Sequence, residues 1–191
     1  MIEIDGAMGE GGGQVLRTSL SLALVTGEGF RMERIRASRG NAGLARQHLT
    51  AVRAAAEVSG AEVEGAETGS QTLRFDPRQL RAGDYRLDIG TAGSTTLVLQ
   101  TLLPALASLE EASTVTVIGG THNLHAPPFE YLDETYRPIL GRLGAKLDLR
   151  LVRHGFYPKG GGRLEARVAG PLDREARLAL PERGDIRAIR A

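Results

Sequence analysis

Residues 2–5, IEID, alternate apolar and polar side chains with the period of a strand, and a glycine-rich turn separates them from an apolar segment over 15–25. The period of two returns in FRMERIR, residues 30–36. It lengthens to a helical repeat across GLARQHLTAVRAAAEVSG, which Gly60 closes. Two further extended stretches follow, over 61–67 and 71–75. The predicted order is strand, helix, strand, helix, strand, strand.

The same order then returns in YRLDI, GSTTLVLQTLLPAL, STVTVIGG, PPFEYLDETYRPILGRLG, AKLDLRLVRHG and RLEARVA. Phe129, Leu132, Tyr136, Leu140 and Leu143 form the apolar stripe of the second helix in this copy, and Pro127 or Pro128 suits its first turn. Both second helices end in glycine, alanine and a charged residue, at Gly60 and Gly144. This is an internal duplication of element order. It predicts an α+β fold of β-α-β-α-β-β units, each packing two helices on one face of a four-stranded sheet. The units are expected over 1–80 and 81–170. A third is expected to begin within 171–191, where DIRAIRA alternates like a first strand; a unit that stops there is expected to be part of a larger protein cut short.

A chain of 191 residues with 41% hydrophobic content can bury a substantial core. The net charge of +1 argues against a surface that coats a polynucleotide, so any nucleic-acid contact is expected to be local, as at a strand end. All the basic residues except Lys146 and Lys159 are arginines, the better fork for phosphate, although genome composition produces the same bias. The chain has no cysteine, which excludes disulfides and cysteine-ligated zinc. TLVLQTLLPALASL is too short and polar for a membrane span, and MIEID is a strand pattern rather than a secretory signal. A cytoplasmic protein with no membrane partner is expected.

Four stretches carry candidate chemistry. DGAMGEGGGQVLRTS leads glycines from a strand into a helix whose amino end can receive an anion, but it lacks the Gly-Lys-Ser/Thr ending of the usual triphosphate loop. Glu10 lies in that loop, and a carboxylate beside phosphates requires a cation, normally magnesium or manganese. Gln14, Arg17, Thr18 and Ser21 share one helical face, leaving Val15, Leu16, Leu20 and Leu24 for packing. In RASRGNAGLARQHL, Arg36 and Arg39 precede the next helix and Arg46 opens it, so three guanidiniums can converge on its anion-favouring end, while His48 sits on the packed face. Gln100 stands nearly alone among leucines and valine, either tying packed elements together or reading a ligand; Pro104 leaves its carbonyl without a donor. His122 and His125 lack a third ligand at clear spacing, so zinc is a weak reading. The triple glycine of HGFYPKGGGRL exceeds what a hairpin needs and points to close approach of backbone to backbone or to a ligand.

Taken together, DGAMGEGGGQVLR, AGLARQHLTAV, TAGSTTLVLQTLLPAL and HGFYPKGGGRL resemble blocks of the RNA 3'-terminal phosphate cyclase family. The resemblance implies ATP and Mg2+ or Mn2+ as cofactors, with Glu10 at the metal and phosphates, Arg17 near phosphates, and Gln100 at the ATP site; Gln14, on the same helical face as Arg17, is expected to join them in binding the cofactor. It implies Arg39 and Arg46 as receivers of the RNA phosphate. The implied partner is an RNA 3'-phosphate end, which the family converts to a 2',3'-cyclic phosphate through enzyme-adenylate and RNA-adenylate intermediates. The family's large domain has three repeated units, of which the duplication matches two and ERGDIRAIRA resembles the opening of the third. Its nucleophilic histidine lies in a carboxy-terminal third, and none of His48, His122, His125 and His154 aligns with it. The isolated chain is therefore expected not to form the adenylate, and to need a carboxy-terminal polypeptide or to self-associate. A non-catalytic relative that binds RNA or ribosome-assembly partners is the alternative; a two-unit protein for another phosphorylated metabolite is a third.

Overall fold

β1 (Ile2–Asp5) ends in a turn held by Asp5, whose Oδ1 accepts the Ala7 N–H at 2.9 Å, and the chain passes through glycines into α1 (Gly13–Thr26). This computed structural model describes residues 1–173 and 175–177; the expected third-unit strand lies outside the described residues. β2 (Phe30–Glu33), α2 (Arg46–Ser59), β3 (Glu62–Glu64) and β4 (Leu73–Asp76) complete the first unit. The second unit comprises β5 (Asp84–Asp88), α3 (Thr95–Leu106), β6 (Ser113–Gly119), a helical stretch over 129–142, β7 (Lys146–Arg153) and β8 (Gly162–Ala169).

The duplication holds at the level of topology. The two four-stranded sheets have the same order, β1-β2-β4-β3 and β5-β6-β8-β7, with the first pair parallel and the other two antiparallel. One face of each sheet turns to the helices, which is why Phe30 and Met32 on β2, Leu73 and Phe75 on β4, and Val115, Val117, Leu164, Ala166 and Val168 in the second sheet are buried at alternate positions. Leu16, Leu20 and Leu24 of α1, the positions assigned to packing by their spacing, join Val98, Leu99, Leu102 and Leu103 of α3 in a core continuous across both units. α2 packs against both α1 and α3 and reaches β5. No helix among the described residues is long and apolar enough to cross a membrane.

Two elements differ from their sequence reading. The strand expected over 30–36 ends at Glu33, because Arg34 and Arg36 adopt left-handed backbone, φ 54° and 53°, that a strand does not contain. The single helix expected after Pro127 is instead α4 (Phe129–Tyr131), a π turn over Leu132–Tyr136, and α5 (Arg137–Arg142). Pro138 explains the change: it has no N–H for the carbonyl of Glu134, and its ring crowds that carbonyl, so the backbone widens just ahead of it. The apolar stripe survives, with Leu132 and Leu140 buried and Phe129, Tyr136 and Leu143 packed at the core's edge. Pro104 is tolerated inside α3 without ending it.

Candidate functional site

The start of α1 is the focus of the polar residues. Its cap, Gly12, has no side chain to accept from the first turn, which leaves N–H groups directed at the space in front of the helix. Gly13 is required by proximity: a Cβ there would lie 2.1 Å from His48 Nε2 and 2.9 Å from Arg17 Nη1. His48 belongs to the first turn of α2, and its Nδ1 accepts the Ala45 N–H at 3.3 Å. Burial, aided by Arg36 and Arg17, pushes its pKa down to about 4, so the ring is neutral at pH 7. With Nδ1 accepting, the proton sits on Nε2, toward the start of α1.

A cleft of about 510 Å³ opens in front of this contact, with Glu10, Gln14, Arg17, Arg36, Arg39 and His48 in its wall. Glu10 is the only acidic lining residue among the described residues; its side chain is 94% exposed and stands 3.5 Å from Arg39 Nη2. Arg17 lies deeper. Burial lowers its pKa to about 10, and its Nη2 donates at 3.0 Å to the neutral amide oxygen of Gln14 rather than to a carboxylate. Arg36 adopts a left-handed backbone, φ 53°, and donates through Nη1 to the Gly43 carbonyl at 2.8 Å; burial and then Arg39 lower its pKa. Three guanidiniums facing one solvated carboxylate make a pocket for an anion with more than one negative charge.

Gln14 and Arg17 also line a second cavity, of about 250 Å³, together with Thr18, Ser21, Gln100 and Tyr136. Gln14 spans from one to the other, since its Nε2 donates to Thr18 Oγ1 at 3.0 Å. Gln100, half-buried on α3, lines this cavity. Burial pushes the Tyr136 hydroxyl up to about 12, keeping it a neutral donor at ordinary pH. Glu10, Gln14, Arg17, Arg39 and Gln100, distant in sequence, thus line two adjoining spaces.

Arg46 is placed differently. It is exposed, and its Nη1 lies 3.5 Å from where a Cβ on Gly90 would stand, whereas the next residue, Gln47, lines the cleft and accepts the Ser94 N–H at 2.7 Å. Sequence reasoning did not single out Gln47, and weighed His125, also in the cleft wall, as a zinc ligand and as the nucleophile but not as part of this cleft. Among the described residues no group of three or more metal-ligating side chains occurs. Ser94 caps α3 by accepting the Leu97 N–H at 3.3 Å, while Thr96 Oγ1 ties the helix to the Pro127 carbonyl at 2.7 Å.

The sequence model of the family described as RNA 3'-terminal phosphate cyclase matches residues 8–178. The chain belongs to the RNA 3'-terminal phosphate cyclase family. It is 59% identical over 188 residues to the RNA 3'-terminal phosphate cyclase of Ralstonia nicotianae, covering 98% of this chain and 54% of that protein. Identity to the protein of the same name from Koribacter versatilis is 57% over 186 residues, 97% of this chain and 52% of the relative. With the Pseudomonas fluorescens protein it is 54% over 191 residues, 100% and 55%. The chain spans about half the length of the curated relatives it matches. For a cyclase-family chain the donor set is chemically apt: a lone carboxylate at an arginine-lined cleft suits a divalent ion whose remaining ligands are phosphate oxygens and water.

Proposed function

We propose that this chain supplies the nucleotide and RNA-phosphate site of an ATP-dependent RNA 3'-phosphate cyclase, a ligase-class RNA-processing enzyme of the cytoplasm that converts an RNA 3'-phosphate end to a 2',3'-cyclic phosphate. The observation that carries the reading is Arg17: a half-buried guanidinium, bonded to a neutral amide rather than a carboxylate and lining a cleft with Arg36 and Arg39. Such a group is stabilised by an anion, and the two adjoining spaces suit a ligand with a polyphosphate and a larger polar body.

Arg17, Arg36 and Arg39 hold and neutralise phosphate oxygens, and the Nε2–H of His48 donates to one of them at the mouth of α1. Gln14 and Gln100 orient the nucleoside, with Tyr136 as a further donor. Glu10 offers its carboxylate to Mg2+ or Mn2+, leaving Arg39 free for the RNA phosphate; Arg46 acts from the Gly90 loop on the strand leading to it. ATP, when bound, supplies the adenylyl group that turns a phosphate into a leaving group. The nucleophile is expected in the part of the family that these residues do not match, so this chain by itself binds ATP without becoming adenylated.

Incubation with ATP labelled at the α-phosphate, with manganese, tests both parts. The expected result is saturable ATP binding that Arg17→Ala abolishes and no denaturation-resistant label, with label appearing once the carboxy-terminal part of a relative is added. Label on the chain alone would refute the second part and direct attention to His125, the exposed histidine of the cleft wall. Failure to bind ATP would refute the first.

A further inference from the structure

The loop that carries His125 to the cleft carries His122 to a different feature. His122, His154 and Phe156 form a closed group of rings, with centroids 5.4, 5.7 and 6.0 Å apart and planes inclined by 20°, 31° and 11°. The group is not core: Phe156 is 57% exposed, and the next residue, Tyr157, 87%. Rings are normally covered, because each buries a large apolar area. Here they are held at the surface by a rigid support.

That support is what the triple glycine builds. Gly155 exchanges hydrogen bonds with Thr121, donating to its Oγ1 at 3.0 Å and accepting its N–H at 2.9 Å. A Cβ on Gly155 would lie 2.2 Å from the Gly162 nitrogen, and one on Gly160 2.5 Å from the Thr91 carbonyl oxygen, so backbone is clamped on backbone at both ends of the turn. The Gly160 N–H closes it onto the Phe156 carbonyl at 2.7 Å. The His122 ring is fixed by Thr121 Oγ1 at 2.9 Å from Nδ1 and by Glu130 at 3.2 Å from Nε2. Arg153 immediately precedes His154 in the chain and Lys159 follows Phe156 by three residues; both are exposed, and Arg153 Nε donates to the Gly161 carbonyl at 2.7 Å, which holds it on the turn.

We propose that this ring group is a stacking platform for a base upstream of the RNA 3'-terminal nucleotide, with Arg153 and Lys159 taking the adjacent backbone phosphates. The proposal rests on the RNA-end reading of the cleft and extends it along the strand. Three observations select a single-stranded nucleic acid as the occupant. Two of the three ring pairs lie within 20° of parallel, which suits the face of a base; two of the three rings are imidazoles, and with the Glu130 carboxylate already bonded to His122 the exposed Arg153 and Lys159 are the cations left beside them in the chain, which suits a polyanion better than an apolar protein surface. The platform is also within reach of the cleft: His122 and the cleft-lining His125 are three residues apart, a span of at most about 11 Å of chain. Because every base has a face, the platform grips RNA ends with little regard to sequence.

The test uses the whole chain and a short oligoribonucleotide ending in a 3'-phosphate, with 2-aminopurine in the penultimate position. Wild-type protein is expected to quench the 2-aminopurine as the base stacks. Phe156→Ala should lose the quenching and bind about 5- to 150-fold more weakly, the range for one lost base–aromatic stack, while Phe156→Tyr keeps both. Uridine 3'-phosphate, which has no upstream base, should bind wild type and Phe156→Ala alike. Unchanged quenching and affinity in the Phe156→Ala, Tyr157→Ala double variant, with both lost in Arg39→Ala, would overturn the platform and leave the cleft reading standing. If neither probe binds the wild type, both readings fail. A wild-type dimer that Phe156→Ala splits into monomers would assign the patch to a second copy and overturn the proposal.

Discussion

Acid should destabilise this protein through one buried imidazole. His48 is 8% exposed and lies against Gly13, and its pKa falls from 6.5 to about 4 on folding. At about 1.4 kcal/mol per unit, that difference corresponds to roughly 3 kcal/mol. The sign follows from proton counting. Between about pH 6.5 and about pH 4 the unfolded chain holds the His48 proton and the folded chain does not, so stability falls as pH falls through that window and the loss is complete below it. His48→Asn removes the titration while its Oδ1 can still accept from the Ala45 N–H. Urea unfolding of both proteins at about pH 7 and about pH 4 should show the wild type losing roughly 3 kcal/mol more than the variant. Taking the difference cancels carboxylates that also lose stability in acid. These include Asp5, held below its usual range by the Ala7 N–H and then Arg34, and Glu130, lowered first by its own backbone N–H and then by His122. Equal losses in the two proteins, or a His48 imidazole titrating near its ordinary value by NMR, would refute the assignment.

Two glycine substitutions test the rest of the geometry. Gly13→Ala drives a Cβ against His48 and Arg17 and should weaken ATP binding at least tenfold by calorimetry, with a stability loss of about 1–3 kcal/mol. Within the glycine signature the costs should differ by position. Gly155→Ala places a Cβ 2.2 Å from one backbone nitrogen and 2.3 Å from the Gly119 carbonyl oxygen, and should cost about 3 kcal/mol or more in urea unfolding. Gly161→Ala meets only the tip of Arg153 at 4.0 Å and pays mainly for its φ of 70°, about 1–2 kcal/mol. Equal costs at these two positions would contradict the clamped turn.

Periodicity was enough to reveal the repeat, because each sheet has one buried face and each helix one apolar stripe, and both leave their periods in the residues. It was also enough to separate the two faces of α1: Leu16, Leu20 and Leu24 pack, and Gln14, Arg17 and Thr18 bond to one another. What it lacked was depth and rotation. Arg46, Gln47 and His48 are consecutive in the first turn of a helix, and only the docking of α2 against the neighbouring elements decides that Gln47 and His48 face the cleft while Arg46 projects toward Gly90. His125 belongs to no periodic element, so nothing in its spacing could announce the cleft. The π turn was hidden for a related reason. An apolar stripe reports which residues must be buried, whereas the local widening at Leu132–Tyr136 is imposed by the missing N–H of Pro138.

The unit boundary also has a detailed correspondence. After β4 the chain crosses the end of α2, where Arg78 donates to the Ser59 carbonyl; after β8 it crosses the end of the next helical stretch, where Asp173 donates to that of Leu143. Each acceptor immediately precedes the closing glycine, Gly60 or Gly144. The exit segment of a unit is therefore also the lid on its own last helix, and beyond it the first exit leads to Leu87 and Ile89, which enter the same core as α2. Modules joined in this way do not melt like beads on a string. The copied segment is a unit of inheritance, while the unit of cooperativity is the fused core, so damage on one side of the duplication is paid for on both.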